Sequence, residues 1–266
     1  MSMKKKKIRT GLLFLAPILA GTALFFAIPF GMVLARSFGL PNAFGTSHYA
    51  AVLNSEAFRL AAGNTAAFLL LGVPTVLACA LGIALLLYSR PPLGRLCSNT
   101  ILLPLVLPLA SIVLFLETLI PPQILEGPGA FWVLLGLYVW KNSGYLALLF
   151  LAGLNMIPVE LYQFAALEGA DHRQQLFYIT LPQLKSTFGF AGVIAVINNF
   201  RCYREAFLLG GKHPAESIYL MQHFLNNNFE NLNFPRLSVA SVLSALPILI
   251  ATGAVAVFRR RFGDAE

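Results

Sequence analysis

The sequence predicts an all-α membrane protein with six transmembrane helices and both termini in the cytoplasm. Of its 266 residues, 58% are hydrophobic and 11% are charged, whereas soluble domains carry about 25% charged residues. The hydrophobic residues form blocks, each close to the roughly 20 residues that a helix needs to cross a bilayer. Basic clusters precede the first block and follow the last, which is typical of segments held on the cytoplasmic side.

The hydrophobic blocks predict one transmembrane domain over residues 11–258. The six spans have the approximate limits 11–35, 61–88, 97–120, 130–155, 186–208 and 237–258. The first block follows a basic tail, residues 1–10, and is longer than the roughly 7–15 apolar residues of a signal peptide, so we expect it to be retained. Residues 259–266 form the C-terminal tail. An even number of spans places both tails on one side of the membrane.

The positions of lysine and arginine predict which side that is. Besides the two tails, Arg90, Arg95, Arg173 and Lys185 lie on the side of the termini. Cytoplasmic loops carry an excess of basic residues, so we expect the tails and the polar loop 156–185 to be cytoplasmic. The same distribution accounts for the net charge of +8 without nucleic-acid binding.

The polar residues argue against several kinds of site. The three cysteines, Cys79, Cys97 and Cys202, include no CxxC pair, and the four histidines show no paired ligand spacing, so we predict neither a disulfide framework nor a metal site. The sequence has no GxxxxGK[ST] motif, which argues against ATP binding by this chain through a P-loop. No Ser/His/Asp arrangement supports catalysis.

Loop 156–185 separates the fourth and fifth spans, and its pattern predicts two short helices. Pro158 suits the first turn of a helix, and Gly169 lies where a helix commonly ends in a left-handed cap. Asp171 can cap a second helix that continues to Tyr178, and we expect the Thr-Leu-Pro sequence ending at Pro182 to stop it.

Helical spacing places four residues on one face of the first of these helices: Leu161, Phe164, Ala165 and Glu168. Such a connector could lie on lipid headgroups, but that role favours a polar face rich in basic residues, and only Arg173 and Lys185 are available. A helical pair with an apolar face and mixed charges better suits docking into a groove of a partner protein.

The stretch "IPVELYQFAALEGADHRQQLFYITLPQL", residues 157–184, resembles the EAA loop of the integral membrane subunits of type I ABC importers. It is most similar to the carbohydrate (sugar and glycerol-phosphate) permease group, whose pattern is IPxELYEAAxxDGA followed by FxxITLP. The matching positions are Ile157, Pro158, Glu160, Leu161, Tyr162, Ala165, Gly169, Ala170, Ile179, Thr180, Leu181 and Pro182. The departures are Gln163 for Glu, Phe164 for Ala, Glu168 for Asp, and Leu176 for the usual aromatic residue.

Three further segments extend the resemblance to residues of about 10–260: "HYAAVLNSEAFRLAAGNTAAF", "ILLPLVLPLASIVLF" and "AFLLGGKHPAESIYLMQHFL". In this family the loop forms a coupling helix that fits a cleft on a cytoplasmic ATPase, and ATP and Mg²⁺ are bound by that partner. The resemblance therefore implies that the residues contacting the ATPase are Glu160, Gln163, Phe164, Ala165, Glu168, Gly169, Ala170, Leu176, Phe177 and Pro182.

The resemblance also implies the assembly and its task. This chain would be one permease half of an importer in the bacterial cytoplasmic (inner) membrane, paired with a second, different permease. Two cytoplasmic ATPase subunits and an extracytoplasmic solute-binding protein would complete it. The two permeases would pass a carbohydrate or related solute by alternating access, without chemical change.

Polar residues inside the spans are candidates for the solute pathway: Glu117, Trp140, Lys141, Asn142, Tyr145, Asn198, Asn199 and Tyr203. A charged lysine at a helix centre costs roughly 2.5–3.5 kcal/mol on insertion scales, so Lys141 should face a cavity or pair internally, for instance with Glu117. Amides and aromatic rings suit sugars, but amides also join helices in membrane bundles. The basic residues just beyond, Arg201 and Arg204, could equally meet an anionic solute.

Three alternatives remain open from the sequence. The same architecture could import a solute that is not a sugar. An ATP-independent carrier is a second alternative, although it would not need the polar loop. A membrane-embedded enzyme using Lys141 or Glu117 is the third, although no reactive constellation accompanies these residues.

Overall fold

The computed structural model describes residues 14–40, 44–89 and 100–262, and within these ranges it is helical with no strand, as predicted. The first helices are α1 (Phe14–Ser37), α2 (Ser47–Leu53), α3 (Glu56–Ser89), α4 (Leu103–Val106), α5 (Leu109–Leu119) and α6 (Pro122–Leu125). The remaining helices are α7 (Gly129–Asn155), α8 (Val159–Leu167), α9 (His172–Gln183), α10 (Lys185–Arg201), α11 (Tyr203–Gly210), α12 (Met221–Glu230) and α13 (Phe234–Phe262). The predicted basic tail 1–10, Arg90 and Arg95 lie outside the described residues.

Three of these helices, α1, α3 and α7, are each long and apolar enough to cross a membrane. The predicted second and fourth spans, 61–88 and 130–155, fall almost wholly within α3 and α7. The pair formed by α9 and the continuous segment Lys185–Gly210 passes the same test together, with a bend of 67° between its parts. Shorter apolar segments are α5 and the first part of α13, Phe234–Ile250.

The predicted third span, 97–120, contains two helices in its described part rather than one. Leu107 is extended, with a ψ of 136°, and Pro108 is the N-cap of α5. The residue before a proline is pushed away from the helical region by the proline ring, which explains why α4 ends here. Because of the break, some backbone N–H and C=O groups of this segment have no hydrogen-bond partner within a regular helix.

The chain divides into two compact units. One comprises the described residues up to Phe58 together with Leu225–Ala245, and the other comprises Arg59–Phe224 and the residues from Leu246 onward. In the first unit, the hydroxyls of Ser37 and Tyr49 are hydrogen-bonded at 2.9 Å. The guanidinium of Arg36 lies 5.8 Å from the centroid of the Phe234 ring in the same unit.

The core of the second unit is built around α7. In its most apolar 18-residue window, 56% of the residues are buried. The Tyr138 hydroxyl donates to the carbonyl of Ala195 on α10 at 2.8 Å, and the rings of Phe150 and Phe188 pack with their centroids 4.7 Å apart. The hydrogen bond satisfies the polar end of Tyr138, and the two phenylalanine rings are in close contact. Both interactions allow α7 and α10 to pack tightly.

Gly144 lies at a close contact between the predicted third span and α7. A Cβ atom built at this position would clash with the carbonyl oxygen of Ile101. No side chain fits there unless the backbone moves. Gly136 lies on the same helix, and a Cβ atom at that position would meet nothing within 4 Å.

We therefore expect Gly144→Ala to destabilise the protein by about 1–3 kcal/mol, the range for overpacking a close contact. Gly136→Ala is the matched control and should leave stability unchanged or raise it by up to about 1 kcal/mol, because alanine favours helix. Thermal unfolding of both purified variants in detergent measures the difference. Equal midpoints for the two variants would contradict this packing of residues 100–120 on α7.

Candidate functional site

The loop between α7 and α10 has well-defined helix ends. Pro158 is the N-cap of α8, and Gly169 follows the helix with a φ of +83°, a left-handed conformation that glycine adopts at low cost. The amide of Ala170 then donates to the carbonyl of Ala165 at 2.9 Å. Asp171 forms a capping box with Gln174, with hydrogen bonds of 2.7 and 2.8 Å. The predicted glycine and aspartate caps are thus present.

The end of the second loop helix differs from the expectation. The sequence predicts a stop at Pro182, but the helix passes through a π-helical turn, Leu176–Thr180, and continues to Gln183. Pro182 lies in the last turn of α9, directly after the π-helical turn. The break comes at Leu184, which is fully buried and joins α9 to α10.

The two loop helices leave large apolar side chains uncovered in this chain. Phe164 is 67% exposed and Leu167 is 84% exposed on α8, and Phe177 is 62% exposed on α9. The hydroxyls of Tyr162 and Thr180 are hydrogen-bonded at 3.0 Å, which ties α8 to α9. An exposed apolar surface carried on a rigid support is suited to binding another surface.

The structure places every predicted docking residue on this loop, with different exposure. The exposed residues are Glu160, Gln163, Phe164, Glu168, Gly169 and Phe177. The half-buried residues are Ala165, Ala170, Leu176 and Pro182. The exposed group is accessible in this chain, whereas the half-buried group is partly covered.

The second candidate site is a cavity of about 360 Å³ between the fourth and fifth predicted spans. Its polar lining residues are Lys141, Asn142, Tyr145, Asn198, Arg201, Arg204 and Glu205, and its apolar lining residues are Leu105 and Ile194. The cavity thus combines amide, phenol and charged groups at one place. Its volume lies in the range of small-molecule sites.

An ion pair forms one wall of the cavity. The Nζ atom of Lys141 lies 2.5 Å from Oε1 of Glu205, and the two side chains are 29% and 5% exposed. The proposed pairing of Lys141 with Glu117 is therefore wrong. Glu117 is exposed and lines a different cavity with Glu126 and His213.

Neutral groups of the cavity bind one another. The Asn198 side-chain amide donates to the Tyr145 hydroxyl, which in turn donates to Oδ1 of Asn142 at 3.4 Å. The Asn142 amide donates to the carbonyl of Tyr138 at 2.7 Å. These bonds fix the side chains relative to α7 and α10.

Four predicted pathway residues, Glu117, Trp140, Asn199 and Tyr203, do not line this cavity. The amide of Asn199 is buried and donates to the carbonyl of Phe68 at 3.1 Å, so it joins α10 to α3. Trp140 is 46% exposed.

Tyr203 packs against the buried ring of His223, with centroids 4.7 Å apart. The amide of Leu220 donates to Nδ1 of His223 at 3.1 Å. Burial lowers the pKa of His223 to about 4, so this imidazole is neutral at physiological pH. Tyr203 therefore belongs to a packed aromatic group in the segment that follows the fifth span.

The predicted pathway residues did not include Arg201, Arg204 or Glu205, although the sequence analysis named the two arginines as possible contacts of an anionic solute. A signal for two of them was present, because Asn198, Arg201 and Glu205 are spaced i, i+3 and i+7 and so fall on one helical face. The spacing of Lys141 and Tyr145, i and i+4, places them together in the same way. A half-buried lysine needs a carboxylate partner, and Glu205 is one of the acidic residues that could supply it. Within the described residues, no group of three or more His, Cys, Asp and Glu side chains could hold a metal ion.

We expect Lys141→Met to be strongly destabilising, by about 3–5 kcal/mol, because it leaves the Glu205 carboxylate buried without its partner. Lys141→Met combined with Glu205→Gln should recover most of that loss, since no uncompensated charge remains. Thermal unfolding of the single and double variants measures the coupling. Losses that simply add in the double variant would show that the two side chains do not form an ion pair.

The sequence of this chain is similar to those of several known permease proteins. The chain is 27% identical to the sulfoquinovosyl glycerol transport system permease protein of Agrobacterium fabrum, over 93% of this chain and 88% of that protein. It is 30% identical to the arabinooligosaccharides transport system permease protein of Bacillus subtilis, covering 78% and 74%. It is 28% identical to the sn-glycerol-3-phosphate transport system permease protein of Brucella abortus, covering 93% and 92%.

The fold is also similar to that of a solved transporter. A chain in the crystal structure of a bacterial ABC transporter involved in the import of the acidic polysaccharide alginate superposes with a TM-score of 0.77 and 21% identity, over 98% of this chain and 99% of that chain. The family model described as "Binding-protein-dependent transport system inner membrane component" matches residues 72–264. This chain therefore belongs to the family of membrane permease components of binding-protein-dependent ABC importers, and is a transport subunit rather than an enzyme.

Proposed function

We propose that this chain is one permease half of an importer that moves a carbohydrate or related solute into the cell, driven by ATP hydrolysis on a separate subunit. The proposal rests on one observation: a chain of this family has both a polar cavity within the bundle and a capped loop with an uncovered apolar surface. The cavity could hold a solute, and the loop could be displaced by a partner protein.

The proposed topology has six spans, with the termini and loop 156–185 in the cytoplasm. We assign the six spans to α1, α3, α7 and α13, the broken segment of α4 and α5, and the segment Lys185–Gly210. The basic residues in the tails and in this loop support the orientation. The membrane is proposed to be the bacterial cytoplasmic (inner) membrane, as the family description implies.

The proposed partners are a second, different permease, two cytoplasmic ATPase subunits and an extracytoplasmic solute-binding protein. The family is defined by dependence on a binding protein. ATP and Mg²⁺ would be held by the ATPase subunits. The uncovered side chains of α8 and α9, among them Phe164 and Phe177, are the surface that we assign to the ATPase.

The loop is connected to the cavity by short, well-packed links. Tyr162 and Thr180 join α8 to α9, and the buried Leu184 joins α9 to α10. A Cβ atom at Gly153 on α7 would lie 2.6 Å from the Thr187 hydroxyl of α10, so these two helices are in close contact here. Displacement of the loop by an ATPase would therefore move α10, which carries Asn198 and Arg201. Alternating access to the cavity is the proposed consequence.

Carbohydrate is the proposed solute class because the cavity combines amide, phenol and charged hydrogen-bonding groups, which suit hydroxyl-rich molecules. The names of the relatives include arabinooligosaccharides, which are neutral, and sn-glycerol-3-phosphate, which is anionic. The names thus leave the charge of the solute open. A solute other than a sugar is the second candidate within the same architecture.

Affinity purification of the tagged chain from its native membrane tests the proposal, with mass spectrometry of the proteins that remain bound. We expect an ATPase and a second permease. Phe164→Asp should reduce the recovered ATPase at least about tenfold, because buried interface aromatics commonly contribute 2 kcal/mol or more. Gly169→Pro should do the same, since proline fixes φ near −65° and this position requires +83°.

Phe229→Asp is the matched control. Phe229 is 57% exposed, comparable to Phe164, but belongs to the segment 209–236 that the topology places outside the cell. This variant should retain the ATPase. If neither partner is recovered with the native chain after gentle extraction, an autonomous carrier becomes the better account.

A further inference from the structure

The cavity between α7 and α10–α11 carries more positive than negative charge. Lys141, Arg201 and Arg204 contribute three cations, whereas Glu205 is the one acidic residue in the lining. The carboxylate of Glu205 is committed to Lys141 through Oε1, and its Oε2 atom is buried without a hydrogen-bond partner. Glu205 therefore compensates Lys141 and leaves the two guanidinium groups to be neutralised by something else.

The two arginines differ from the other polar groups of the cavity. Both are exposed, and in the described part of the chain no carboxylate lies within ion-pairing distance of either guanidinium. The neutral groups, in contrast, already bind one another through Asn198, Tyr145 and Asn142. Among the donors of the cavity, the two guanidinium groups, which are cationic and planar, thus have the most capacity left to bind a solute.

Charged side chains at membrane depth are costly, and they occur where a pathway or an ion needs them. A guanidinium gains little from replacing water by a neutral hydroxyl. It gains much more from an oxyanion, because its donors match the geometry of carboxylate and phosphate and the hydrogen bonds are charge-assisted. Two such groups, at positions i and i+3 of one helical segment, can hold one anionic group between them.

We propose that the solute is an anionic carbohydrate, with its carboxylate, phosphate or sulfonate group bound by Arg201 and Arg204. The hydroxyl groups of the same molecule would face the amide and phenol groups of Asn142, Tyr145 and Asn198. A cavity of about 360 Å³ accommodates about one sugar unit. This inference rests on the proposed import function and names the charge of its solute.

The test uses the complete importer, without its binding protein, in nanodiscs of zwitterionic phospholipid. Three ligands share one pyranose ring and differ at C6: glucose, glucuronate and glucose 6-phosphate. Titration calorimetry should show at least about tenfold tighter binding of both anionic ligands than of glucose. Equal affinities for all three, or no binding of either anionic ligand, would overturn the proposal.

Variants assign the effect to the cavity. Arg201→Gln and Arg204→Gln should each weaken binding of the anionic ligands about tenfold, the value of a lost charged hydrogen bond, and weaken glucose binding much less. Arg204→Lys should keep part of the affinity, because it keeps the charge. Arg236→Gln is the control, since Arg236 is exposed and does not line this cavity. Anion binding that persists in both arginine-to-glutamine variants would contradict the assignment.

An anionic lipid headgroup could supply the same kind of oxyanion to the two arginines. The titrations are therefore repeated in nanodiscs that contain phosphatidylglycerol. Unchanged affinity supports a solute site, whereas loss of sugar binding assigns the arginines to lipid and overturns the proposal. An importer that assembles and hydrolyses ATP without preferring anions refutes this inference alone. Failure of the ATPase to assemble refutes the proposed function as well.

Discussion

The ion pair between Lys141 and Glu205 is the interaction on which the central part of the structure depends. A lysine near the middle of an apolar helix must be compensated, because an isolated charge in a low-dielectric surrounding is costly. The compensation comes from α11, at 2.5 Å. The ion pair fixes how α7 and the end of the fifth predicted span are aligned along their axes. That register in turn brings Asn198 opposite Tyr145 and places Arg201 and Arg204 at the same cavity.

The same packing connects the cavity to loop 156–185. The central helix α7 contacts α10 through Tyr138, Phe150 and the close approach at Gly153. Helix α10 begins directly after Leu184, at the 67° bend that separates it from α9. A single residue, Leu184, separates α9 from α10. Under the proposed function, displacement of the loop would therefore move α10 and change access to the cavity.

Local rules predicted the features that depend on short stretches of sequence. The long apolar blocks at α3 and α7, the positive φ of Gly169 and the N-cap at Asp171 follow from composition and from the backbone preferences of single residues. The loop helix continues through Pro182 after the π-helical turn Leu176–Thr180. The sequence pattern alone does not show whether a helix ends at such a proline or continues through it.

Features that depend on tertiary contacts were not predictable in the same way. The partner of Lys141 required knowing which helix packs on α7, and Glu117 was an equally plausible carboxylate by composition. Asn199 and Asn198 are adjacent, but one faces the core and the other the cavity. The 100° turn between neighbouring helical residues separates them, and only the packing of α10 against α3 and α7 sets which one faces inward.

The most direct test of the account is the accessibility of the cavity from each side of the membrane. Ile194 lines the cavity and makes no polar side-chain contact, so Ile194→Cys is a suitable reporter in a chain whose three native cysteines are replaced. In proteoliposomes holding the complete importer, a membrane-impermeant maleimide should label it from the cytoplasmic side without nucleotide. With ATP bound and its hydrolysis blocked, labelling should switch to the opposite side. Labelling from one side only, whether or not ATP is present, would contradict alternating access at this cavity.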